Sequence, residues 1–285
     1  MTDAEHESPL PIDHVFHPTD LSHASEVAFA HALRVALAAK AALTIFHVEA
    51  EDAGVPWSAF PGVRSMLAGW GLLPPGSPKH AVPALGIEVE KVAARGKDPL
   101  RASLDYLAGF PAQLIVLSTH GREGLPRWLH SAVAEPLARA AGAMTLFVPH
   151  GARGFVSAAD GAVGLREVLL PVDARPRPQV ALHVVGKLVQ ALGATPHVGL
   201  LHVGPAGGAP SLRIPGDTSV RFERLEREGD ALEEIVTLAD SLPADLVVMT
   251  TAGHHGFLDA LRGSTTERVL RRVGCPLLAI PEKNA

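Results

Sequence analysis

Glycines and hydroxyl-bearing residues are combined near the C-terminus in a pattern that could hold a phosphate group. The segment Thr250 to Gly253 is followed by nine residues and then by Gly263-Ser264-Thr265. Glycines let backbone N–H groups approach phosphate oxygens, and a following helix offers free N–H groups and a partial positive charge. Ser264 and Glu267 also have capping-box spacing. The pattern predicts an anion-binding loop, with a ligand-free strand–helix turn as the alternative.

A second copy of this segment occurs earlier in the chain but lacks most of these features. Gly121 is retained, whereas Ser131 stands where the later copy has Gly263, and Ala132 has no hydroxyl group. Pro136 also removes a backbone donor within the following helix. The sequence therefore favours a ligand in the second half of the chain, with the first half as a weaker candidate.

The two loops belong to a repeat that covers most of the chain. Gly121 and Gly253, like Glu135 and Glu267, are separated by 132 residues. Repetition at a fixed offset indicates duplicated structural units. We predict a first domain over 1–150 and a second over 165–285, joined by a linker rich in glycine and alanine.

The elements that would position the loops alternate between short apolar strands and amphipathic helices, which is typical of α/β proteins with a mainly parallel sheet. The predicted strands are His14–Pro18, Leu43–Val48, Ile87–Val92, Leu114–Ser118 and Ala143–Pro149, then Val168–Val172, Val198–Val203, Ser219–Leu225, Leu246–Thr250 and Pro276–Pro281. Helices are predicted between them, and Asp98 is expected to cap the one that follows it.

The first half carries an insertion over residues 49–86. Val48 and Val203 are offset by 155 residues but Gly96 and Gly229 by 133, so the insertion adds about 22 residues. It contains two of the three tryptophans. It is interpreted either as a core-covering helix with an irregular turn or as a lid or partner surface, because long loops often carry function.

Composition excludes several classes of protein. The net charge is −5 and no basic stretch occurs, so nucleic acid is not an expected partner. The single Cys275 precludes an internal disulfide and is expected to be a buried, unreactive residue. The polar start is not a signal peptide, and no apolar run reaches the roughly 18–20 residues of a membrane span. A cytoplasmic protein with no membrane contact and no metal site is expected, the 15 histidines being scattered.

Four short patterns, each present twice in the same order, resemble the universal stress protein family in its tandem form. They are a strand ending in Pro-Thr-Asp or Pro-Val-Asp, a His-Val strand end, a glycine before the third helix, and the glycine-rich loop. The resemblance implies two tandem doubly wound domains, each a five-stranded parallel sheet of order 3-2-1-4-5 flanked by helices. It further implies an intramolecular pseudo-dimer through Met144–Val148 and Leu277–Ile280, and leaves a further homodimer open.

The resemblance also implies a nucleotide site at the point where the strand order reverses. The implied ligand is ATP, with or without Mg²⁺. Asp20 and Asp173 would meet the adenosine part, although each could instead cap the next helix. Thr250 departs from the family pattern, which has glycine there. The candidate residues are Asp173, Val203, Met249, Thr250, Gly253, Gly263, Ser264 and Thr265, and more weakly Asp20, Val48, Ser118, Gly121 and Ser131.

No catalytic site is expected. The chain has no Gly-x-Ser-x-Gly elbow or Walker Gly-Lys-Ser run, and lysine is scarce near both loops, so slow ATP hydrolysis is the most that is predicted. The leading hypothesis is an ATP-binding regulatory protein that signals to an unknown protein partner. The alternative is a non-nucleotide interaction module whose partner contacts the insertion. A third, weaker hypothesis is a small-molecule or metal sensor that uses the histidines.

Overall fold

The computed structural model describes most of the chain. The described residues are 10–22, 25–49, 54–119, 131–152, 154–214, 220–252 and 265–282, without the side chains of Ser131 and Ala132. Gly121, Gly253, Gly263 and Ser264 therefore lie outside the described residues.

Within the described residues, ten strands form one continuous sheet in the order β3-β2-β1-β4-β5-β10-β9-β6-β7-β8. The first five strands are β1 His14–Pro18, β2 Ala42–Glu49, β3 Val89–Arg95, β4 Leu114–Thr119 and β5 Met144–Pro149. The other five are β6 Glu167–Pro171, β7 His197–Val203, β8 Arg221–Arg227, β9 Leu246–Thr251 and β10 Leu277–Pro281. Each half has the order 3-2-1-4-5 with parallel neighbours, as predicted.

The two halves are joined by their last strands, which pair antiparallel. Leu277 lies opposite Phe147, and Ala279 lies opposite Thr145. Each of these strands would otherwise be an open sheet edge, a common starting point for unwanted association. The pairing covers both edges within one chain.

Helices cover both faces of the sheet. They are α1 Glu26–Ala39, α2 Val63–Gly69, α3 Pro99–Gly109, α4 Ser131–Ala141, α5 Gln179–Leu192, α6 Ala231–Ser241 and α7 Thr265–Leu270. Asp98 caps α3 as predicted, because its side chain accepts hydrogen bonds from the backbone N–H groups of Leu100 and Arg101. Asp230 caps α6 in the same way. In both cases the aspartate satisfies donors that the first helical turn leaves unpaired.

The core is divided by the sheet into two apolar layers. Val15 points into the layer of α1 and α5, whereas its neighbour Phe16 points into the layer that contains α3, α4, α6 and α7. Successive side chains of a strand point to opposite faces, so strands covered on both sides read as continuous apolar runs. This explains why the central strands could be predicted from their continuous runs of apolar residues.

The insertion covers part of the first layer. Phe60, Leu67 and Trp70 are buried in it, and the indole N–H of Trp70 donates to the carbonyl of Ala158 at 3.0 Å. The structure thus supports the core-covering interpretation of this segment, with α2 as its helix. The linker residue Ala158 is held against the insertion by the same contact.

The third strand of each half extends further toward its carboxyl end than predicted. Strand β3 ends at Arg95 rather than Val92, and β8 ends at Arg227 rather than Leu225. Both are edge strands that end in an exposed arginine, and backbone pairing continues to Glu49 and Val203 of their neighbours. Alanine and charged residues are uncommon in strands, so the sequence did not indicate these last residues.

Two equivalent glutamates of the repeat meet where the halves join. A guanidinium nitrogen of Arg271 lies 3.3 Å from a carboxylate oxygen of Glu135 and forms a second ion pair with Glu267. One arginine thus forms ion pairs with the equivalent glutamates of both copies.

In the described part of the chain, no helix is long and apolar enough to cross a membrane.

Candidate functional site

A crevice opens in the second half between the carboxyl ends of β6 and β9. The two strands pair only through Val168 with Leu246 and Leu169 with Val247, and they diverge beyond these residues. Such a divergence at the reversal of strand order is where open α/β sheets bind ligands. The crevice contains a cavity of about 250 Å³. Its walls include five of the predicted site residues, namely Asp173, Val203, Met249, Thr250 and Thr265.

Two threonines at the end of β9 leave buried hydroxyl groups without a hydrogen-bond partner. Thr250 is 9% exposed and Thr251 is 7% exposed, and within the described residues neither hydroxyl is satisfied. A buried, unpaired hydroxyl costs about 1–3 kcal/mol of free energy. Each can donate one hydrogen bond and accept others. Both residues line the crevice cavity. Because successive side chains of a strand point to opposite faces, their hydroxyls lie on opposite sides of β9, and a polar ligand at the strand end could satisfy the one that faces it.

Asp173 lies on the exposed side of the crevice, two residues after the end of β6. Its carboxylate accepts a hydrogen bond from the N–H group of Ala174 at 2.6 Å, which leaves acceptor capacity on the carboxylate. Arg175 also lines the cavity, and Arg177 lies 3.4 Å from the carboxylate of Glu282. The crevice therefore combines an exposed carboxylate with a nearby guanidinium group.

A histidine holds the segment that carries Asp173. His202 is buried in β7, and its Nδ1–H group donates to the carbonyl of Val172 at 3.2 Å. In the first half, His47 donates to the carbonyl of Thr19 at 2.8 Å. Each histidine thus fixes the residue that precedes a crevice aspartate. At the level of sequence, the repeated His-Val pairs were used only as part of the family resemblance. Because a histidine recurs at the equivalent position of both halves, this positioning role could have been inferred from the sequence.

The aspartate of the first half has different partners. One carboxylate oxygen of Asp20 accepts hydrogen bonds from the backbone N–H and hydroxyl of Ser22, at 3.0 and 2.6 Å, and from the hydroxyl of Ser25 at 2.7 Å. These contacts order the turn into α1. They support a structural contribution of Asp20 at the start of the next helix, and a contact of Asp20 with a ligand stays a prediction.

The other first-half candidates that the structure describes can be placed in the fold, but their positions alone do not indicate a ligand. Val48 and Ser118 are half-buried near the ends of β2 and β4, Ser131 begins α4, and Gly121 lies outside the described residues. Close by, His17 is fully buried and donates from Nδ1 to the carbonyl of Val116 at 2.8 Å. Burial lowers the pKa of His17 to about 4, so the ring is neutral at physiological pH.

Two further features concern metal binding and the single cysteine. No group of three or more His, Cys, Asp or Glu side chains among them lies close enough to hold a metal ion. Cys275 is partly rather than fully buried. Burial raises the pKa of its thiol to about 12, and since the thiolate is the reactive form, Cys275 is a poor nucleophile.

The phosphate-loop part of the prediction lies outside the described residues, since it rests on Gly253, Gly263 and Ser264. Thr265 is the first residue of α7 and lines the cavity. The structure thus places the five described second-half candidates around one cavity. The role of these residues as nucleotide ligands stays a prediction, as does the crowding expected from Thr250.

Comparison with known proteins identifies the family. A model of the universal stress protein family matches residues 11–149 and 215–281. A universal stress protein of Methanocaldococcus jannaschii is 43% identical over 53 residues, which are 19% of this chain and 31% of that protein. The chain thus spans under a third of the length of this curated relative.

Solved structures show the same fold at low identity. A universal stress protein from Archaeoglobus fulgidus has a TM-score of 0.61 and 18% identity, over 97% of this chain and 99% of that one. A Pseudomonas aeruginosa protein of unknown function has a TM-score of 0.60 and 16% identity, over 95% and 93% of the two chains. Because the family model covers more than half of the residues, the chain belongs to the universal stress protein family.

Proposed function

We propose that this chain is an ATP-binding regulatory protein whose nucleotide lies in the crevice of the second half. The observation that carries the proposal is that the buried hydroxyls of Thr250 and Thr251, on opposite faces of the end of β9, have no partner among the described residues and flank the cavity of about 250 Å³. Polar groups buried in this way usually have a partner. A ligand rich in hydroxyl and phosphate oxygens would supply that partner.

The residues of the crevice have distinct roles in this proposal. Asp173 accepts hydrogen bonds from the ribose hydroxyls, and the backbone of Val203 contacts the adenine. Met249 supplies an apolar wall. The hydroxyls of Thr250 and Thr265, with the segment from Gly253 to Ser264, hold the phosphates. Magnesium would accompany ATP through its phosphate oxygens, with no protein ligands assigned.

The two halves are unequal in this proposal. The contacts of Asp20 with Ser22 and Ser25 already order the first-half turn, and Ala132 lacks the hydroxyl that Ser264 would offer. One nucleotide is therefore expected per chain. The domains over 1–150 and 165–285 act as a pseudo-dimer in the cytoplasm, with slow hydrolysis at most, and report nucleotide occupancy to a protein partner.

Calorimetric titration with ATP tests the proposal, together with a Gly263→Val variant and a Ser131→Val control at the equivalent first-half position. The wild-type chain is expected to bind one ATP with micromolar affinity. Gly263→Val should weaken binding by at least about tenfold, or about 1.4 kcal/mol, while Ser131→Val should leave it unchanged. No binding at millimolar ATP, or equal loss in both variants, would overturn the proposal.

A non-nucleotide interaction module is the second candidate. The crevice cavity of about 250 Å³ is smaller than the roughly 300–1,000 Å³ of ordinary small-molecule sites. In this alternative both crevices are degenerate, and a protein partner contacts the insertion. The titration with ATP distinguishes the two candidates directly.

A further inference from the structure

A larger cavity of about 1070 Å³ lies in the insertion, away from the crevice. Its walls come from α2, from the turns that flank this helix, and from the edge strand β3. The second half lacks the insertion and so has no counterpart of these walls. The cavity is therefore a feature of one half only and does not follow from the repeat.

Of the described residues, three cationic side chains line this cavity and no acidic residue does. They are Arg64, Lys79 and Lys91. Within the described part of the chain, no ion pair involves any of the three. A guanidinium N–H of Arg64 donates to the carbonyl of Ser77 at 2.7 Å, which fixes that side chain without neutralising it. Among the described residues, the positive charge of the cavity therefore has no acidic partner.

The three cations are close enough to affect one another. The pKa of Lys91 is lowered by burial first and then by the positive charges of Arg64 and Lys79. Holding like charges together costs free energy that a bound anion would recover. The electrostatics of the cavity thus favour a negatively charged occupant.

The remaining walls are mainly apolar. Trp57 is 62% exposed, an unusual position for so large an apolar side chain, and its ring centroid lies 5.3 Å from that of the buried Phe60. The ammonium group of Lys91 lies 5.9 Å from the Phe60 ring centroid. Val63, Val82 and Val89 complete the apolar lining. Charge and apolar surface therefore face the same space.

We propose that this cavity binds a free amphipathic anion, a small molecule with one acidic headgroup and an apolar body. The headgroup meets Arg64, Lys79 and Lys91, and the apolar body lies against Trp57 and the valines. The volume of about 1070 Å³ is at the upper end of the roughly 300–1,000 Å³ typical of small-molecule sites. This assignment does not depend on nucleotide binding in the crevice.

Calorimetric titration with monomeric dodecanoate and dodecyl phosphate tests the ligand class, with dodecanol and dodecyltrimethylammonium as probes that share the apolar body. Both anions are expected to bind once per chain, and at least about tenfold more tightly than the alcohol or the cation. Equal binding of all four probes, no binding of either anion, or binding only to vesicles of anionic lipid would overturn the proposal.

Variants test the location. Lys91→Met keeps the length of the side chain and removes the most buried of the charges, so anion affinity should fall by about tenfold. Arg101→Met removes an exposed charge on α3, 79% accessible, and should leave affinity unchanged. Equal affinity of Lys91→Met and wild type, at matched thermal stability, would contradict the site.

Cross-titration separates the two proposed sites. Lys91→Met should bind ATP normally, and Gly263→Val should bind dodecanoate normally. Loss of dodecanoate binding in the presence of stoichiometric ATP would show a shared site and would overturn the independent assignment. Failure of ATP binding alone leaves the predictions for the insertion cavity unchanged.

Discussion

His31 shows how one protonation state can hold two distant parts of the chain together. Its Nδ1–H donates to the carbonyl of Val27 at 2.7 Å, so Nε2 carries the lone pair and accepts from the N–H groups of Phe155 and Val156 at 3.0 and 3.2 Å. A second proton on the ring would remove this acceptor. The linker is therefore fixed to α1 by a neutral histidine.

Acid is expected to loosen this contact. Burial lowers the pKa of His31 from 6.5 to about 4. The unfolded chain therefore takes up a proton first, and the stability contributed by neutral His31 is complete above pH 6.5 and lost as pH falls toward 4. Between these two pKa values, each such histidine makes the free energy of unfolding fall by about 1.4 kcal/mol for each unit by which the pH is lowered. Urea unfolding of wild type and His31→Gln between pH 7 and 4.5 measures this slope.

The glutamine variant should have the shallower pH dependence, because it offers an amide donor and acceptor but does not titrate. His17 has the same lowered pKa and remains in both proteins, so the slope should decrease without vanishing. Protection of the Phe155 and Val156 amides against hydrogen exchange, relative to the intrinsic exchange rate at each pH, should fall in wild type over the same pH range. An unchanged slope in His31→Gln would contradict this account.

His202 is expected to affect ATP binding although it lies behind the crevice. His202→Phe removes the donor to the Val172 carbonyl and leaves that group unpaired, which releases the segment that carries Asp173. ATP affinity should fall by about fivefold, equivalent to about 1 kcal/mol. His47→Phe is the matched control, since it removes the equivalent first-half bond. Equal losses in both variants would indicate general destabilisation rather than positioning.

At the residue scale, local signals could be predicted and long-range partners could not. Asp98 is recognisable as a cap because the residues that it caps are its immediate neighbours. The acceptor role of His31 depends on amides 124 and 125 residues away. Likewise, the sequence marked Thr250 as a departure from the glycine of the family, but the burial of its hydroxyl depends on the neighbouring strands.

Among the structural elements, the linker can pass close to the insertion because one of its residues, Gly161, has no side chain. Gly161 has φ +70°, and a Cβ atom there would lie 2.5 Å from the Trp70 ring. The linker therefore passes close to the insertion at a position that accepts no side chain. Trp70 is held there by its hydrogen bond to Ala158.

Gly161→Ala should destabilise the protein more than a matched glycine substitution. Gly193 has a similar φ of +64° at the end of α5, but nothing lies within 4 Å of the position that a Cβ atom would occupy there. Both variants incur about 1–2 kcal/mol for the left-handed backbone conformation, and only Gly161→Ala adds a steric clash. We expect it to lose at least about 1 kcal/mol more, measured by urea unfolding. Equal losses would show that Trp70 moves aside freely.

Element order was predictable because the central strands are short apolar runs, the third strand of each half mixes apolar and charged residues, and the helices show an apolar period of 3.6 residues. The insertion was recognisable by its length, but its path was not, since it consists of one short helix and three-residue turns with no periodic pattern. The cavity within it arises from residues far apart in the segment, such as Trp57 and Val82, together with Lys91 of the neighbouring strand. No local pattern predicts that arrangement.

At the scale of the whole molecule, the join between the halves combines strand pairing with a shared ion pair. The order of both half-sheets and the pairing of their last strands agree with what the family resemblance implies. The meeting of Glu135 and Glu267 at Arg271 was not anticipated. Their equivalence in the repeat places them symmetrically about the join, which brings two like charges together and makes a cation between them necessary.

Arg271→Met should therefore destabilise the join at neutral pH by leaving two adjacent carboxylates without their cation. Arg271 is 59% exposed, so we expect a loss of about 1–3 kcal/mol rather than the full value for a buried pair. Burial, with a smaller contribution from Glu267, already raises the pKa of Glu135 despite the arginine. Without Arg271 that pKa should rise further.

The sign of the pH dependence follows from this raised pKa. A carboxyl group whose pKa is higher in the folded state binds its proton more tightly there, so acid relatively stabilises the folded variant. The difference in unfolding free energy between wild type and Arg271→Met should shrink from pH 7 to pH 5. Contributions from His17 and His31 occur in both proteins and cancel in this difference. A difference that stays constant would show that Arg271 acts through packing of its aliphatic stem rather than through charge at the join.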